Sequence, residues 1–280
     1  MNLSPLPIST LLKKHRIHPS KGLGQNFLIV EEVLERIADS AGIRPGDTVL
    51  EIGPGMGNLT RHLANRVEQV VAVELDRTLF PVLHEVLEPF QNVTLVQGDI
   101  LKLNPAGLPL PDGYIVAANI PYYITSAVIR HLLNAAHKPQ TIALTVQKEV
   151  AERICAKPGN LSLLALSVQL FGEAEYQFTI PAEAFYPKPK IDSALLKISC
   201  SAEAKIPVAD MDVFFKLAKA GFGQKRKTLK NALSSNLALP SAITESMLLR
   251  AGIDPMRRAE TLTIAEWHTL LQAYNDHQQN

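Results

Sequence analysis

Two stretches of the chain carry residue types whose spacing suits chemistry. At 115–125 the sequence reads IVAANIPYYIT: an apolar run stops on Asn119, and Pro121 is followed at once by two tyrosines. An ordinary strand end, with Pro breaking the ladder, would account for this; so would a platform for a flat, amine-bearing substrate. At 51–60, EIGPGMGNLT sets Gly53, Gly55 and Gly57 in a G-x-G-x-G spacing between an apolar run and a helical one. In an α/β sheet that place, the carboxyl end of a strand, is where nucleotides bind.

Three acids turn the glycine loop into a pocket. Glu51 stands two residues before Gly53, Glu74 lies 21 residues after it, and Asp99 ends a third apolar run in QGDIL. A carboxylate at the second strand end can accept from ribose hydroxyls, and one at the third can accept from an adenine amino group. Asp99 as a simple helix cap is the plainer alternative. Asn58 occupies the position where the dinucleotide fingerprint needs its last glycine, and no Lys follows the loop as a triphosphate site requires. An adenosine carrying a zwitterionic amino acid, S-adenosylmethionine, suits the set better. No metal is expected, since His15 and His18 are the only closely spaced histidines and belong to a basic tail.

The opening stretch then acquires a task. The lone pair of an exocyclic adenine amine is delocalised into the ring, so the amine is a poor nucleophile. Oxygens placed off the ring plane, from the Asn119 side chain and the Ile120 carbonyl held by Pro121, would accept its hydrogens and free the lone pair towards a sulfonium methyl. Tyr122 can stack on the base. Later, AFYPKPKIDS (184–193) offers Phe185 or Tyr186 for the other face, and Lys188 and Lys190 for phosphates.

Elements must bring these residues together. Runs at 48–53, 69–75, 92–97, 114–119 and 141–147 read as strands, with LTRHLANRV, RTLFPVLHEVLEPF, TSAVIRHLLNAA and KEVAERICA as helices between them. EYQFTI and ALLKIS close the region as further strands. This alternation predicts βαβ units: an α/β, Rossmann-like, mostly parallel sheet with helices on both faces. After the polar stretch 199–210 the pattern is helical only, through DVFFKLAKAGF, KTLKNALSSN, SAITESMLLRAGI and TIAEWHTLLQAY. The expected division is residues 1–204 and a small all-helical domain over 205–280.

Bulk properties bound the partners. The 280 residues carry a net charge of only +1, so a basic surface must come from clustering. Residues 1–30 hold Lys13, Lys14, Arg16 and Lys21 without an acid, and 212–230 hold Lys216, Lys219, Lys225, Arg226, Lys227 and Lys230 against Asp212 alone. Cys155 and Cys200 lack metal or redox spacing and fit a reducing compartment. No apolar stretch is long enough for a membrane span, so the expectation is a cytoplasmic protein with no membrane partner. Nothing demands more than a monomer.

KGLGQNFL (21–28), VLEIGPGMGNLT, AVELD, QGDIL, NIPYYIT, VQKEVAERICAKPG, FYPKPKIDSA, GFGQKRKTLKNAL and the closing RAETL together resemble the bacterial small-subunit ribosomal RNA adenine dimethyltransferases. The resemblance implies a class I methyltransferase that dimethylates N6 of two adjacent adenosines in the 3′-terminal hairpin loop of 16S rRNA, within an assembling small subunit. It implies donor-binding roles for Asn26, Leu28, Gly53, Glu74, Asp99 and Asn119, and target-base roles for Asn119, Tyr122 and Phe185. It turns Lys219, Lys225, Arg226, Lys227 and Lys230 towards rRNA. Leu163-Leu164 stand where the family usually carries Tyr-Gly, a departure in what is expected to be an RNA-facing loop. Rival readings are a 23S rRNA adenine methylase, a protein-glutamine methylase (against which Ile120 in place of a proline counts) and a non-catalytic ribosome-assembly factor.

Overall fold

A computed structural model describes residues 3–279; residues 1, 2 and 280, at the ends of the two expected domains, lie outside the described residues. The chain divides into two compact units, Met1–Ala151 with Glu173–Cys200, and Glu152–Gly172 with Ser201–Asn280. The sequence reading cut the chain once, near 204, and gave residues 152–172 to the first unit.

Among the described residues the first unit holds nine strands: β1 (Phe27–Leu28), β2 (Thr48–Ile52), β3 (Gln69–Glu74), β4 (Val93–Gln97), β5 (Ile115–Asn119), β6 (Thr141–Gln147), β7 (Gly172–Ile180), β8 (Phe185–Tyr186) and β9 (Ser193–Cys200). Seven form one sheet in the order β4-β3-β2-β5-β6-β9-β7. Pairs β3·β4, β2·β3, β2·β5 and β5·β6 are parallel, while β9 runs antiparallel to β6. The strand order reverses at β2, so the ends of β2 and β5 open a crevice there, as in other doubly wound sheets. All five residues of β2 are buried, which is what a central parallel strand covered on both faces requires.

The helices of this unit are α1 (Ile8–Lys14), α2 (Glu31–Ser40), α3 (Asn58–Ala64), α4 (Phe80–Leu87) and α5 (Thr125–Asn134), and α6 (Lys148–Ile154) follows β6. Leu34 and Ile37 of α2 and Leu59 and Leu63 of α3 pack with Val49, Val70 and Ala72 from the sheet. A second cluster joins Val82, Leu83 and Val86 of α4 to Ile8, Leu11 and Leu12 of α1. The basic N-terminal stretch is therefore a docked helix, and Lys14 and His15 meet Glu85 on α4 at 2.6 and 2.7 Å.

The second unit consists of α7 (Leu163–Gln169), α8 (Met211–Phe222), α9 (Leu229–Leu237), α10 (Ser241–Arg250) and α11 (Ile264–Gln279). Its centre is Trp267, stacked on Phe222 at 5.7 Å and edge-on to Phe214 at 6.4 Å. A Cβ on Gly221 would stand 2.7 Å from the indole, so α8 approaches α11 closely only because that residue has no side chain. Among the described residues no helix is long and apolar enough to cross a membrane.

Candidate active site

β2 delivers its last residues into the glycine turn. Gly53 and Gly55 adopt φ of 68° and 61°, a region that L side chains enter only with strain. A Cβ on Gly55 would lie 3.0 Å from the Phe27 ring, whereas one on Gly53 would meet nothing within 4 Å. Gly53 thus presents bare backbone to a cleft at the carboxyl ends of the strands.

That cleft gathers nearly all the residues singled out by type and spacing. Asn26 and Leu28 come from the N-terminal segment, Glu51, Gly53 and Gly55 from β2 and its turn, and Glu74 and Asp99 from the ends of β3 and β4; all line it. So do Asn119, Ile120, Pro121 and Tyr122 after β5, and Phe185 of β8. Gly57 does not. With φ of 82° it starts α3, and a Cβ there would press 3.1 Å from Val86 of α4, so it serves the turn and the packing behind it.

The acids are held differently. Both Glu74 oxygens accept backbone N–H groups, from Gly55 at 3.1 Å and Asp76 at 2.8 Å, and each keeps a lone pair to spare. Burial nevertheless raises its pKa, with those N–H groups pulling the other way. Glu51 is 1% exposed and its Oε2 has no hydrogen-bond partner among the described residues. Its pKa is pushed up to about 8, chiefly by burial and further by the charge of Glu74; Thr60 counteracts this, though without a well-formed hydrogen bond. Asp99 accepts from Leu101 N–H at 3.0 Å and faces Lys102 at 3.7 Å, so it caps its own turn and lines the cleft at once.

At the other wall the Asn119 Nδ2 donates to the Asn26 carbonyl at 3.0 Å, which fixes the amide and leaves its oxygen as the free acceptor. The Tyr122 hydroxyl pairs with Ser193 Oγ at 2.6 Å, and burial raises its pKa. β1 and β8 form a two-stranded ladder that sets Leu28 opposite Phe185. Phe185 is only 3% exposed and packs with Leu28 and Leu34 in the core cluster beside the cleft.

The basic residues are spread over loops and helices. Lys225, Arg226 and Lys227 lie exposed in the connection between α8 and α9, and Lys219 is exposed on α8. Lys230 pairs with Glu245 at 3.3 Å and Lys188 pairs with Glu183; Lys190 is exposed. Leu163 and Leu164 open α7, capped by Ser162, so the expected loop is helical there.

Sequence reasoning passed over three residues of the cleft wall. Gln25 donates to Asp76 at 2.8 Å and accepts from Ser20 N–H at 2.7 Å, tying the N-terminal segment to the end of β3. Asn58 donates to the Leu28 carbonyl at 2.8 Å, and its Oδ1 is buried without a partner among the described residues. Tyr123 lines the cleft mouth. Contacts spanning 30 to 51 positions leave no periodic signal, so nothing short of the motif KGLGQNFL could have indicated them.

A mostly parallel sheet carrying a glycine turn, three strand-end acids and an Asn-Ile-Pro-Tyr corner in one cleft defines a class I, Rossmann-like methyltransferase. Residues 16–276 match the family model described as ribosomal RNA adenine dimethylase. "Ribosomal RNA small subunit methyltransferase A" of Dehalococcoides mccartyi strain CBDB1 is 46% identical over 94% of this chain and 91% of its own length. The protein of that name from Moorella thermoacetica is 43% identical over 93% and 94%. Among solved structures, a dimethyladenosine transferase from Plasmodium falciparum superposes with a TM-score of 0.75 at 25% identity, over 90% of this chain and 98% of that one. The 23S rRNA methyltransferase ErmE gives 0.72 at 29%, over 89% and 100%. The chain belongs to the ribosomal RNA adenine dimethylase family, and it is an enzyme of that class.

Proposed function

We propose that the protein dimethylates N6 of two adjacent adenosines in the 3′-terminal hairpin loop of 16S rRNA, within the assembling small ribosomal subunit, with S-adenosylmethionine as donor. The observation that carries the reading is the single cleft in which a fixed Asn119 amide stands across from the glycine turn and its acids. The donor's amino-acid and nucleoside parts fit what is there. Glu51 Oε2 and Asn58 Oδ1 are buried polar atoms without a partner among the described residues, and Gly53 opens bare backbone to the cleft they line with Glu74. Leu28 and Gly55 would flank the same group, Glu74 would accept from ribose hydroxyls, and Asp99 from the adenine amine. When bound, S-adenosylmethionine supplies an electrophilic methyl on its sulfonium.

The protein's own part is to place and polarise the target amine. The Asn119 side-chain oxygen and the Ile120 carbonyl accept its two hydrogens, drawing the lone pair out of the ring. Asn26 keeps the Asn119 amide from flipping, so the oxygen is already in place before the base arrives. Tyr122, anchored by Ser193, stacks the base, and Phe185 closes the apolar wall beside it. No strong general base is needed, because the amine proton becomes acidic once the methyl has moved. Lys188, Lys190, Lys219, Lys225, Arg226, Lys227 and Lys230 contact phosphates; such contacts supply affinity and salt dependence, not sequence choice. The helical unit is assigned to subunit binding in the cytoplasm.

The likeness to ErmE favours a 23S substrate as the second reading. The higher identity to proteins named for the small subunit supports 16S. Incubation with labelled S-adenosylmethionine and, in parallel, unmodified small subunits, large subunits and a protein fraction separates the readings. Label in small subunits alone is expected. Label in large subunits or protein moves the substrate to a sibling enzyme's. Subunit binding without label leaves an assembly factor.

A further inference from the structure

Tyr122 and Tyr123 are neighbours with opposite surroundings. Tyr122 is half-buried and tied to Ser193, whereas Tyr123 is 63% exposed although it lines the same cleft. An aromatic ring so open gains little from burial, yet this one has a built seat. Gly24 lies beneath it with φ of 62°, and a Cβ there would stand 3.4 Å from two ring carbons of Tyr123 and 3.2 Å from Pro121. One edge of the ring therefore lies close to the Gly24 backbone, while most of the residue is open to solvent. The same turn, closed by Gly24 N–H donating to the Lys21 carbonyl at 3.1 Å, carries an exposed Lys21.

Resting on the function proposed above, we infer that Tyr123 is a stacking shelf for the base next to the adenosine held at Asn119, with Lys21 a cation for the adjoining phosphate. A base drawn into the cleft leaves its neighbour with one face unstacked. An aromatic ring at the mouth takes up that face, and it does so for any base because every base has a π-face. With two adjacent targets, the shelf holds one adenosine outside while the other reacts, and then serves the exchanged pair. Tyr123 is thus a positioning residue: it touches the neighbour and takes no part in methyl transfer.

The test compares wild type, Tyr123→Phe and Tyr123→Ala on unmodified small subunits, reading KM for subunits and KM for S-adenosylmethionine separately. One lost stacking contact predicts a subunit KM raised between about fivefold and about 150-fold in the alanine variant. The donor KM stays at the wild-type value, and phenylalanine restores the subunit KM. An alanine variant with an unchanged subunit KM overturns the shelf while leaving the function standing. Equal rises in both KM values also overturn it, since they mark general damage to the cleft. No transfer by the wild type to either adenosine overturns the proposed function, and the shelf with it.

Discussion

Replacing Glu51 by glutamine removes a titrating group from the heart of the first unit without changing its shape. The unfolded carboxyl ionises near 4.5, but in the fold it holds its proton to about 8 because it is buried beside Glu74. Between those values the native state binds a proton that the unfolded chain has released, so stability falls as pH rises through the window. Each pH unit costs about 1.4 kcal/mol. From pH 5 to pH 8 the wild type therefore loses on the order of 4 kcal/mol that Glu51→Gln keeps. The raised Glu74 adds a loss of the same sign, but both proteins carry it and it cancels in the comparison. Urea unfolding at pH 5, 6, 7 and 8 measures the difference. Backbone circular dichroism is the readout, since the chain's only tryptophan, Trp267, reports on the helical unit. A difference between the two proteins that stays flat across pH would refute the reasoning, because it would mean Glu51 ionises like an exposed carboxyl.

Three further outcomes are expected. Asn119→Ala lowers kcat by about 10²–10³, the usual loss for one preorganised polar group, while rRNA binding by filter retention stays near wild type; near-normal turnover would remove the amide from the mechanism. Lys225→Ala with Arg226→Ala weakens subunit binding and flattens the slope of log K against log salt by about two, and an unchanged slope would mark the connection between α8 and α9 as merely solvated. Gly57→Ala, which forces a side chain into a left-handed φ and against Val86, destabilises the first unit by about 1–3 kcal/mol; an unchanged denaturation midpoint would show that α4 yields freely.

Seven of the nine strands were legible as apolar or β-branched runs, five of them in a stretch interleaved with helices, and β7 and β9 closing it with no α-helix between them. The two that were missed, β1 and β8, are two residues each and pair across 159 positions, Phe27 with Tyr186. Helix α2 was not singled out, although its buried Leu34, Ile37 and Ala38 stand at helical spacing. The strand-end acids were legible from spacing, since β2, β3 and β4 lie side by side and finish at one edge. What type and spacing could not reveal is which way a residue faces. Gly57 shares the G-x-G-x-G spacing with Gly53 and Gly55, but the turn rotates it towards α4. Of the lysines read as phosphate contacts, Lys225 and Lys227 lie with Arg226 in an exposed connection, while Lys188 and Lys230 also pair with Glu183 and Glu245. Helix signals are periodic and acid-free runs are compositional; neither says where a chain stops coiling.

The most direct test reads both position and chemistry of the product. Small subunits lacking the modification are incubated with S-adenosylmethionine and the protein, and the 3′ fragment of 16S rRNA is sequenced by mass spectrometry. Two adjacent N6,N6-dimethyladenosines in the terminal hairpin loop, formed about 10²–10³ times more slowly when Asn119→Ala replaces the wild type, are the predicted result. Unmodified adenosines there, with the methyl groups found in 23S rRNA, in protein or nowhere, would contradict the account.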